Sequence, residues 1–133
     1  MFNYSNSIFL SIIIPVYNLQ DYIPNTLNKI IGQSLQNIEI ICINDGSTDN
    51  SLKILEEYKN KDKRIKIINQ ENQGPAVSRN NGINIACGEY VAFIDGDDYP
   101  EEDFYFEKLY NRAKESDADI VKAAYKNSLS REF

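Results

Sequence analysis

The sequence predicts an α/β fold, a Rossmann-like and mostly parallel sheet with flanking helices. Short apolar runs alternate along the chain with segments whose apolar residues recur at helical spacing, the pattern of strand–helix–strand units in a parallel sheet. The runs are apolar almost throughout, which is typical of strands buried on both faces. Crossovers of this kind are right-handed, so the carboxyl ends of the strands meet at one edge of the sheet.

The composition indicates one globular domain and excludes several kinds of site. The chain has 133 residues, of which 42% are hydrophobic and 26% are charged. With 14 basic and 20 acidic residues the net charge is −6, which argues against a general affinity for nucleic acid. Because the chain has no histidine, it contains no Ser-His-Asp triad, no Cys-His pair and no typical zinc site.

The first half of the chain predicts two strands, each followed by a helix. The first strand is expected at residues 8–17, and it ends near Pro15 because proline cannot donate to a sheet ladder. The helix after it has apolar residues along one face, namely Ile23, Leu27, Ile30 and Ile31. The second strand is expected at residues 38–43 and runs into the turn Asn44–Asp45–Gly46. The face of its helix is formed by Leu52, Leu55 and Tyr58.

The second half continues the alternation. A third strand is predicted at residues 65–68 and a helix at residues 76–86. The fourth strand, at residues 90–94, is expected to be buried on both faces. Pro100 suits the first turn of the next helix. A fifth strand is predicted at Ala118–Ala124.

Residues 1–126 are expected to form the domain, and residues 127–133 a tail. Cys42 and Cys87 lie among apolar or small residues and are predicted to be reduced and largely buried. The apolar run near the N-terminus is too short for a membrane span, and the features of a signal peptide are missing. We therefore expect a cytoplasmic chain without a membrane span, with the inner face of the membrane as a related setting.

The acidic cluster Asp95-Gly96-Asp97-Asp98 directly follows the fourth strand. Gly96 allows the backbone to turn sharply, so three carboxylates are presented together at the edge where open α/β sheets bind ligands. Such carboxylates repel one another unless a cation lies between them, and a divalent ion with oxygen ligands is the natural partner. The alternative is a solvated acidic turn, since loops are often acidic.

Three further residues at the same edge carry alternative interpretations. Asp45 is either a turn residue or a carboxylate that accepts hydrogen bonds from a base or a ribose. Tyr17 either lies against a planar ring or packs on the sheet. Arg79, near the start of the third helix, either makes forked contacts to phosphate or forms a surface salt bridge.

Four motifs occur in an order that resembles a known family. They are Ser11–Asn18, Asn44–Asp49, Asn72–Gly74 with Ser78–Asn80, and Phe93–Asp98. Over residues 8 to 125 the sequence is similar to glycosyltransferase family 2, the inverting enzymes of the GT-A fold. The resemblance implies a nucleotide-sugar donor, usually a UDP-sugar, a magnesium or manganese ion, and a carbohydrate or glycolipid acceptor.

The resemblance also implies roles for individual residues. Pro15, Tyr17 and Asp45 would hold the nucleoside, and Arg79 would lie beside the nucleotide and its diphosphate. Asp95 and Asp97 would form the Asp-x-Asp signature of the family. By the same resemblance Asp95 would belong to both the nucleotide and the metal sets, and of the two aspartates Asp97 is favoured as the direct metal ligand. The metal would neutralise the diphosphate as it leaves.

The sequence departs from the family pattern after the predicted fifth strand. Family members usually continue into an acceptor-binding half that supplies the catalytic base, so we expect this chain to be the N-terminal donor-binding portion, with the base outside it. Asp117 and Asp119 are candidates for the base by residue type alone.

Two other classes of protein stay open. One is a non-catalytic nucleotide-binding or interaction module of the same fold, which could form homo-oligomers through an exposed sheet edge. The other is a phosphotransferase or phosphatase. In those enzymes the Asp pair usually follows the first strand, whereas here it follows the fourth.

Overall fold

The computed structural model describes residues 7–123. Within them four strands alternate with four helices. In chain order these elements are β1 (Leu10–Val16), α1 (Ile23–Ile31), β2 (Ile38–Asp45), α2 (Ser51–Lys61), β3 (Ile65–Gln70), α3 (Pro75–Ile85), β4 (Tyr90–Phe93) and α4 (Tyr105–Ser116). The predicted alternation of strands and helices is confirmed as far as α4.

The strands form one parallel sheet in the order β3-β2-β1-β4. Leu10 at the start of β1 is paired with Ile38 of β2 and with Tyr90 of β4. Because the strands run in the same direction, the segments that follow β1, β2 and β4 leave the sheet at one edge. The α/β class and the parallel sheet were therefore predicted correctly, and this edge is called the carboxyl edge below.

The core lies on both faces of the sheet. Alternate residues of a strand point to opposite faces, so Ile12 and Ile14 pack with α1 and α2 while Ile13 faces α3. Gly82 lets α3 approach the sheet closely, since a Cβ atom at this position would lie 2.6 Å from Cγ2 of Ile13. The two central strands, β1 and β2, are accordingly the most deeply buried.

The fourth strand differs from the sequence prediction. It was expected to be buried on both faces, but Val91 is 39% exposed and Phe93 is 49% exposed. The reason is its place in the sheet, because β4 is the edge strand and α3 packs over β1 and β2. The side chains that share the α3 face are consequently left uncovered on β4.

Two predicted elements beyond β4 also need correction. Residues 118–123 form no strand, and Ile120 is 87% exposed. A strand is stabilised by pairing, and this segment pairs with none of the strands in the described part of the chain. The last helix begins at Tyr105 rather than at Pro100, because residues 101–104 form turns. Ala124 and the predicted tail at 127–133 lie outside the described residues.

The two cysteines lie in different environments, so the prediction that both are buried was wrong for Cys87. Cys42 is fully buried in β2, and this burial raises the pKa of its thiol to about 12. Cys87 is exposed because it lies in the surface connection after α3. Its backbone N–H, rather than its thiol, is held inward by a hydrogen bond to the carboxylate of Glu39.

Glu39 forms a buried polar network at the end of the sheet opposite the carboxyl edge. Its carboxylate accepts hydrogen bonds from the hydroxyl of Ser11 and from Nζ of Lys66, the latter at 2.7 Å. Burial raises the pKa of Glu39, but the hydrogen bonds from Cys87, Lys66 and Ser11 outweigh it, so the pKa lies below its usual value. The network joins β1, β2, β3 and the connection after α3.

Among residues 7–123 no helix combines the length and the apolar character needed to cross a membrane.

Candidate functional site

A cleft of about 410 Å³ opens at the carboxyl edge of the sheet. It is lined by the ends of β1 and β2, by the segments that follow β1, β3 and β4, and by the start of α3. The lining residues are Pro15, Val16, Tyr17, Leu19, Asp45, Asn72, Gly74, Pro75, Asp95, Gly96 and Asp97. Five of the six predicted site residues line this cleft, and the sixth, Arg79, contacts one of them. A second groove, of about 440 Å³, lies between β4 and α4 and is lined mainly by apolar side chains.

Asp45 is the last residue of β2 and is only 3% exposed. Its Oδ1 accepts hydrogen bonds from the backbone N–H of Gln73 at 2.7 Å and from Nε2 of Gln70 at 3.0 Å. Its Oδ2 accepts the backbone N–H of Gly74 at 3.0 Å. Burial raises the pKa of Asp45, but these three hydrogen bonds outweigh it and hold the pKa below its usual value. The carboxylate is therefore charged and shapes the loop before α3.

Two glycines allow this loop to approach the end of β2. Gly46 has a φ of +72°, and a Cβ atom there would lie 2.7 Å from the backbone nitrogen of Asn72. Gly74 has a φ of +93° at the entry to α3, a backbone conformation that residues with side chains rarely adopt. The Asp-Gly turn that the sequence predicted is thus also a contact site for the β3–α3 loop.

The loops after β1 and β2 are joined by polar contacts. Asn18 has a φ of +50°, and its Oδ1 accepts the backbone N–H of Thr48 at 2.7 Å. Its own N–H donates to Oγ of Ser47 at 3.0 Å, and the N–H of Gln20 donates to Oδ2 of Asp49 at 3.2 Å. These contacts hold the segment that carries Tyr17, whose side chain is 49% exposed and lines the cleft.

Arg79 and Asp95 form an ion pair, with Nη2 of the arginine 3.0 Å from Oδ1 of the aspartate. Their side chains are 37% and 56% exposed. An exposed pair of this kind contributes only about 0 to 1 kcal/mol, so either partner could exchange the other for a ligand at little cost. The salt bridge that was one interpretation of Arg79 is present, and contact with phosphate stays a prediction.

The carboxylates of Asp95, Asp97 and Asp98 converge, and one oxygen atom from each lies within 4.8 Å of the others. Partial burial, followed by the charges of Asp97 and Asp95, raises the pKa of Asp98. Hard oxygen ligands at such spacing fit Mg²⁺ or Mn²⁺. Gly96 allows the turn to pack closely against Leu19, because a Cβ atom there would lie 2.7 Å from Cδ1 of Leu19.

The two acids considered for the catalytic base lie away from the cleft. Asp117 ends α4 with a φ of +48°, and Asp119 lines the apolar groove between β4 and α4. Ala118, between them, accepts a hydrogen bond from the hydroxyl of Tyr90, the first residue of β4. This contact places the segment near the end of the sheet opposite the carboxyl edge.

Sequence reasoning missed Gln70, which binds Asp45. The only signal in the sequence is that Gln70 is a polar residue after an apolar run. The pairing of β2 with β3 explains its contact, because Gln70 is paired with Asp45 in the sheet. Gln70 also connects the site to α3, because its Oε1 accepts a hydrogen bond from Nδ2 of Asn81 at 2.7 Å.

Comparison with known proteins gives consistent results. A family model described as Glycosyl transferase family 2 matches residues 11–131. Glycosyltransferase GlyA of Streptococcus pneumoniae is 46% identical over 116 residues, which are 87% of this chain and 16% of GlyA. Glycosyltransferase GlyG of the same species is 41% identical over 119 residues, which are 89% of this chain and 39% of GlyG. The crystal structure of S. aureus TarS 1-349 in complex with UDP-GlcNAc matches with a TM-score of 0.78 at 29% identity, over 94% of this chain and 39% of TarS 1-349.

The fold is that of a GT-A domain, the α/β architecture that the chain shares with TarS. The chain belongs to glycosyl transferase family 2, whose model covers nearly its whole length. The resemblance read from the four sequence motifs is thereby confirmed. The chain spans less than half the length of each of these three relatives.

Proposed function

We propose that this chain is the donor-binding part of a metal-dependent glycosyltransferase. The enzyme would transfer a sugar from a nucleotide-sugar, a UDP-sugar in the first instance, to a hydroxyl group of a carbohydrate or glycolipid acceptor, with inversion at the transferred carbon. Family membership and the UDP-GlcNAc complex of TarS support the donor class. The observation that carries the proposal is the convergence of predicted donor-site residues on one cleft.

In this proposal the nucleoside binds between the ends of β1 and β2. Pro15 and Tyr17 line the cleft on one side, and the exposed ring of Tyr17 offers a flat surface to a base. Asp45 lies on the other side, and its Oδ2 accepts one hydrogen bond from the protein, which leaves a lone pair for a base N–H or a ribose hydroxyl. Asp45 would thus have two roles, holding the β3–α3 loop and binding the nucleoside.

The diphosphate would lie toward Arg79 and the acidic turn. Arg79 offers a fork of N–H donors that suits phosphate oxygens. Asp97, with Asp95, would hold a manganese or magnesium ion, and their oxygen atoms fit such an ion. When bound, the metal would stabilise the charge that develops on the leaving diphosphate.

We assign the catalytic base to a residue outside the described part of the chain. In an inverting transfer the base removes the proton of the acceptor hydroxyl on the face opposite the leaving group. Asp117 and Asp119 do not line the cleft, and each carboxylate that does has a proposed donor-side role. The described part of the chain is therefore expected to bind the donor and to leave removal of the acceptor proton to residues outside it.

The proposal is tested by calorimetric titration of the chain with UDP, with and without Mn²⁺. We expect binding that depends on Mn²⁺ and that is lost in Asp97→Ala. The matched control is Glu115→Ala, which removes an exposed carboxylate on the last turn of α4, away from the cleft. Absence of metal-dependent binding in the unsubstituted chain would refute the assignment of the acidic cluster.

A second candidate is a non-catalytic nucleotide-binding or interaction module. It is favoured by one observation. Every carboxylate that lines the cleft in the described part of the chain, namely Asp45, Asp95 and Asp97, already has a role in the proposed donor site. Incubation of the chain with UDP-sugars and a panel of hydroxyl acceptors separates the two candidates, since any product formed by the chain excludes the module. Self-association through an exposed sheet edge and a cytoplasmic location also stay predictions.

A further inference from the structure

Thr26 lies in α1 and is almost fully buried, with 1% of its surface exposed. Its Oγ1 is 2.9 Å from the carbonyl oxygen of Gly96 and 2.7 Å from the carbonyl oxygen of Asp98. The Gly96 carbonyl belongs to the peptide group just before Asp97, and the Asp98 carbonyl belongs to the peptide group that follows Asp98. One hydroxyl, from a helix some seventy residues earlier in the chain, therefore reaches the backbone of the acidic turn on both sides of the predicted metal ligand.

The contact is unusual for a threonine within a helix. A helical threonine commonly directs its hydroxyl to a carbonyl one turn earlier in its own helix. Thr26 instead occupies the buried face of α1, beside Ile23, Leu27 and Ile30, where an apolar side chain would serve the core equally well. A buried hydroxyl destabilises the fold unless it is hydrogen-bonded, and the oxygens that satisfy this one belong to the turn.

Apart from the exposed Arg79–Asp95 ion pair, the acidic turn has few other attachments within the described residues that would fix its carboxylates. The backbone N–H of Asp98 donates to the carbonyl of Asp95 at 2.9 Å, which closes the turn on itself. Gly96 packs against Leu19, but the side chain of Asp97 is exposed. The direction of its carboxylate follows from the backbone on both sides of it. The Thr26 hydroxyl, whose single proton faces two carbonyl oxygens, ties that backbone to α1 just before Asp97 and again at Asp98.

The residues after the turn are held by the same part of the chain. Gln33, just beyond α1, donates from Nε2 to the carbonyl of Glu102 at 2.8 Å and accepts the N–H of Phe106 at 3.2 Å. The N–H of Ser34 donates to the carbonyl of Asp103 at 2.8 Å. The helix α1 and the residues after it thus form a platform for residues 96–106, and Thr26 is the part of this platform nearest the acids.

We propose that Thr26 is a positioning residue of the metal site. Its hydroxyl fixes the backbone carbonyls of Gly96 and Asp98 and so arranges the carboxylates of Asp95, Asp97 and Asp98 before a cation binds. This inference rests on the proposed function, because it requires that the acidic cluster binds a divalent ion. Removal of groups that orient metal ligands typically weakens metal affinity by about 10- to 100-fold.

The first test measures Mn²⁺ binding by electron paramagnetic resonance of the free ion, without nucleotide. Thr26→Val keeps the shape of the side chain and removes the hydroxyl, and we expect it to weaken Mn²⁺ binding about tenfold. Thr26→Ser restores the hydroxyl and should restore binding. The control Ser11→Ala removes another buried hydroxyl, at the opposite end of the sheet, and should leave Mn²⁺ binding unchanged even if it lowers stability.

The second test measures hydrogen exchange at the amide of Asp98 without metal. We expect exchange about tenfold faster in Thr26→Val than in the unsubstituted chain or in Ser11→Ala, because the turn loses its attachment to α1. Any of three results would overturn the positioning role alone. They are an Mn²⁺ affinity of Thr26→Val equal to that of the unsubstituted chain, failure of Thr26→Ser to restore Mn²⁺ binding, and amide exchange at Asp98 that is unchanged in Thr26→Val. If the unsubstituted chain binds no Mn²⁺, the metal assignment fails and the inference falls with it.

Discussion

Substitution of Asp45 by Asn tests whether this carboxylate holds the donor cleft in shape before any ligand binds. The two side chains have nearly the same size, but the amide offers one acceptor oxygen and one NH₂ group. If the oxygen faces Gln70 and Gln73, the NH₂ group faces the N–H of Gly74, and two donors oppose each other. In the other orientation the NH₂ group faces two donors.

The expected loss follows from the number and type of these hydrogen bonds. Asp45 accepts three of them, and a hydrogen bond to a charged group contributes about 1.5–3 kcal/mol. Asparagine loses at least one bond, and the remaining bonds lose the assistance of the charge. Because Gln73 is exposed and water can replace part of the loss, we expect the free energy of unfolding to fall by about 2 kcal/mol.

The measurement is urea unfolding followed by circular dichroism at pH 7 without ligand. Glu115→Gln, which neutralises an exposed carboxylate on α4, is the matched control and should change the unfolding free energy little. An Asp45→Asn variant with the midpoint and slope of the unsubstituted chain would refute the argument. Its carboxylate would then matter to a ligand rather than to the loop.

The pH dependence gives the same prediction a second check. The pKa of Asp45 in the folded chain lies below its usual value of 3.8, so its charge stabilises the fold above that value. This contribution is lost as the pH falls through the folded-state pKa, where the carboxylate is protonated in both states. The difference in unfolding free energy between the unsubstituted chain and Asp45→Asn should therefore shrink as the pH falls below about 4. A difference that stays constant at acidic pH would contradict a charge-based role.

Two further predictions concern the core and the thiols. Gly82→Ala should lower the free energy of unfolding, measured in urea, by about 1–3 kcal/mol, because the added methyl group would lie 2.6 Å from Ile13. In the control Gly32→Ala the added methyl group meets only an ordinary contact at 3.4 Å, so the free energy of unfolding should change less. Equal midpoints for the two variants would contradict close packing of α3. With a thiol-reactive dye, the native chain should label at Cys87, and urea should be needed to label Cys42, which is buried with a pKa of about 12. Rapid labelling of the native Cys87→Ser variant would show that Cys42 is accessible.

The sequence supported those parts of the fold that depend on local pattern and on chain handedness. Apolar runs and helical spacing located the elements, and the rule for parallel crossovers placed Tyr17, Asp45 and Asp97 at one edge. The exposure of Phe93 could not be predicted in this way. It depends on which strand lies at the edge of the sheet and on where α3 packs, and both follow from contacts between distant parts of the chain.

The errors at the fifth strand and at Cys87 have the same origin. Residues 118–123 have the composition of a strand, but a strand also needs a partner, and local composition does not say whether one is adjacent. Cys87 has small neighbours typical of a buried site, but only its backbone N–H is directed inward, where it donates a hydrogen bond to Glu39, and its side chain is exposed. The role of Thr26 is likewise absent from local pattern, because its hydrogen-bond partners lie some seventy residues away.

The charges at the cleft explain why donor and metal binding should be coupled. Among the described residues, those that line the cleft include the aspartates Asp45, Asp95 and Asp97 and no lysine or arginine, and Arg79 is already paired with Asp95. A nucleoside diphosphate is itself anionic and would be repelled by this surface. A divalent cation at the acidic turn would reverse the local charge, and it would also release Arg79 from Asp95. Mn²⁺ should therefore raise the affinity for UDP, and by thermodynamic reciprocity UDP should raise the affinity for Mn²⁺ by the same factor.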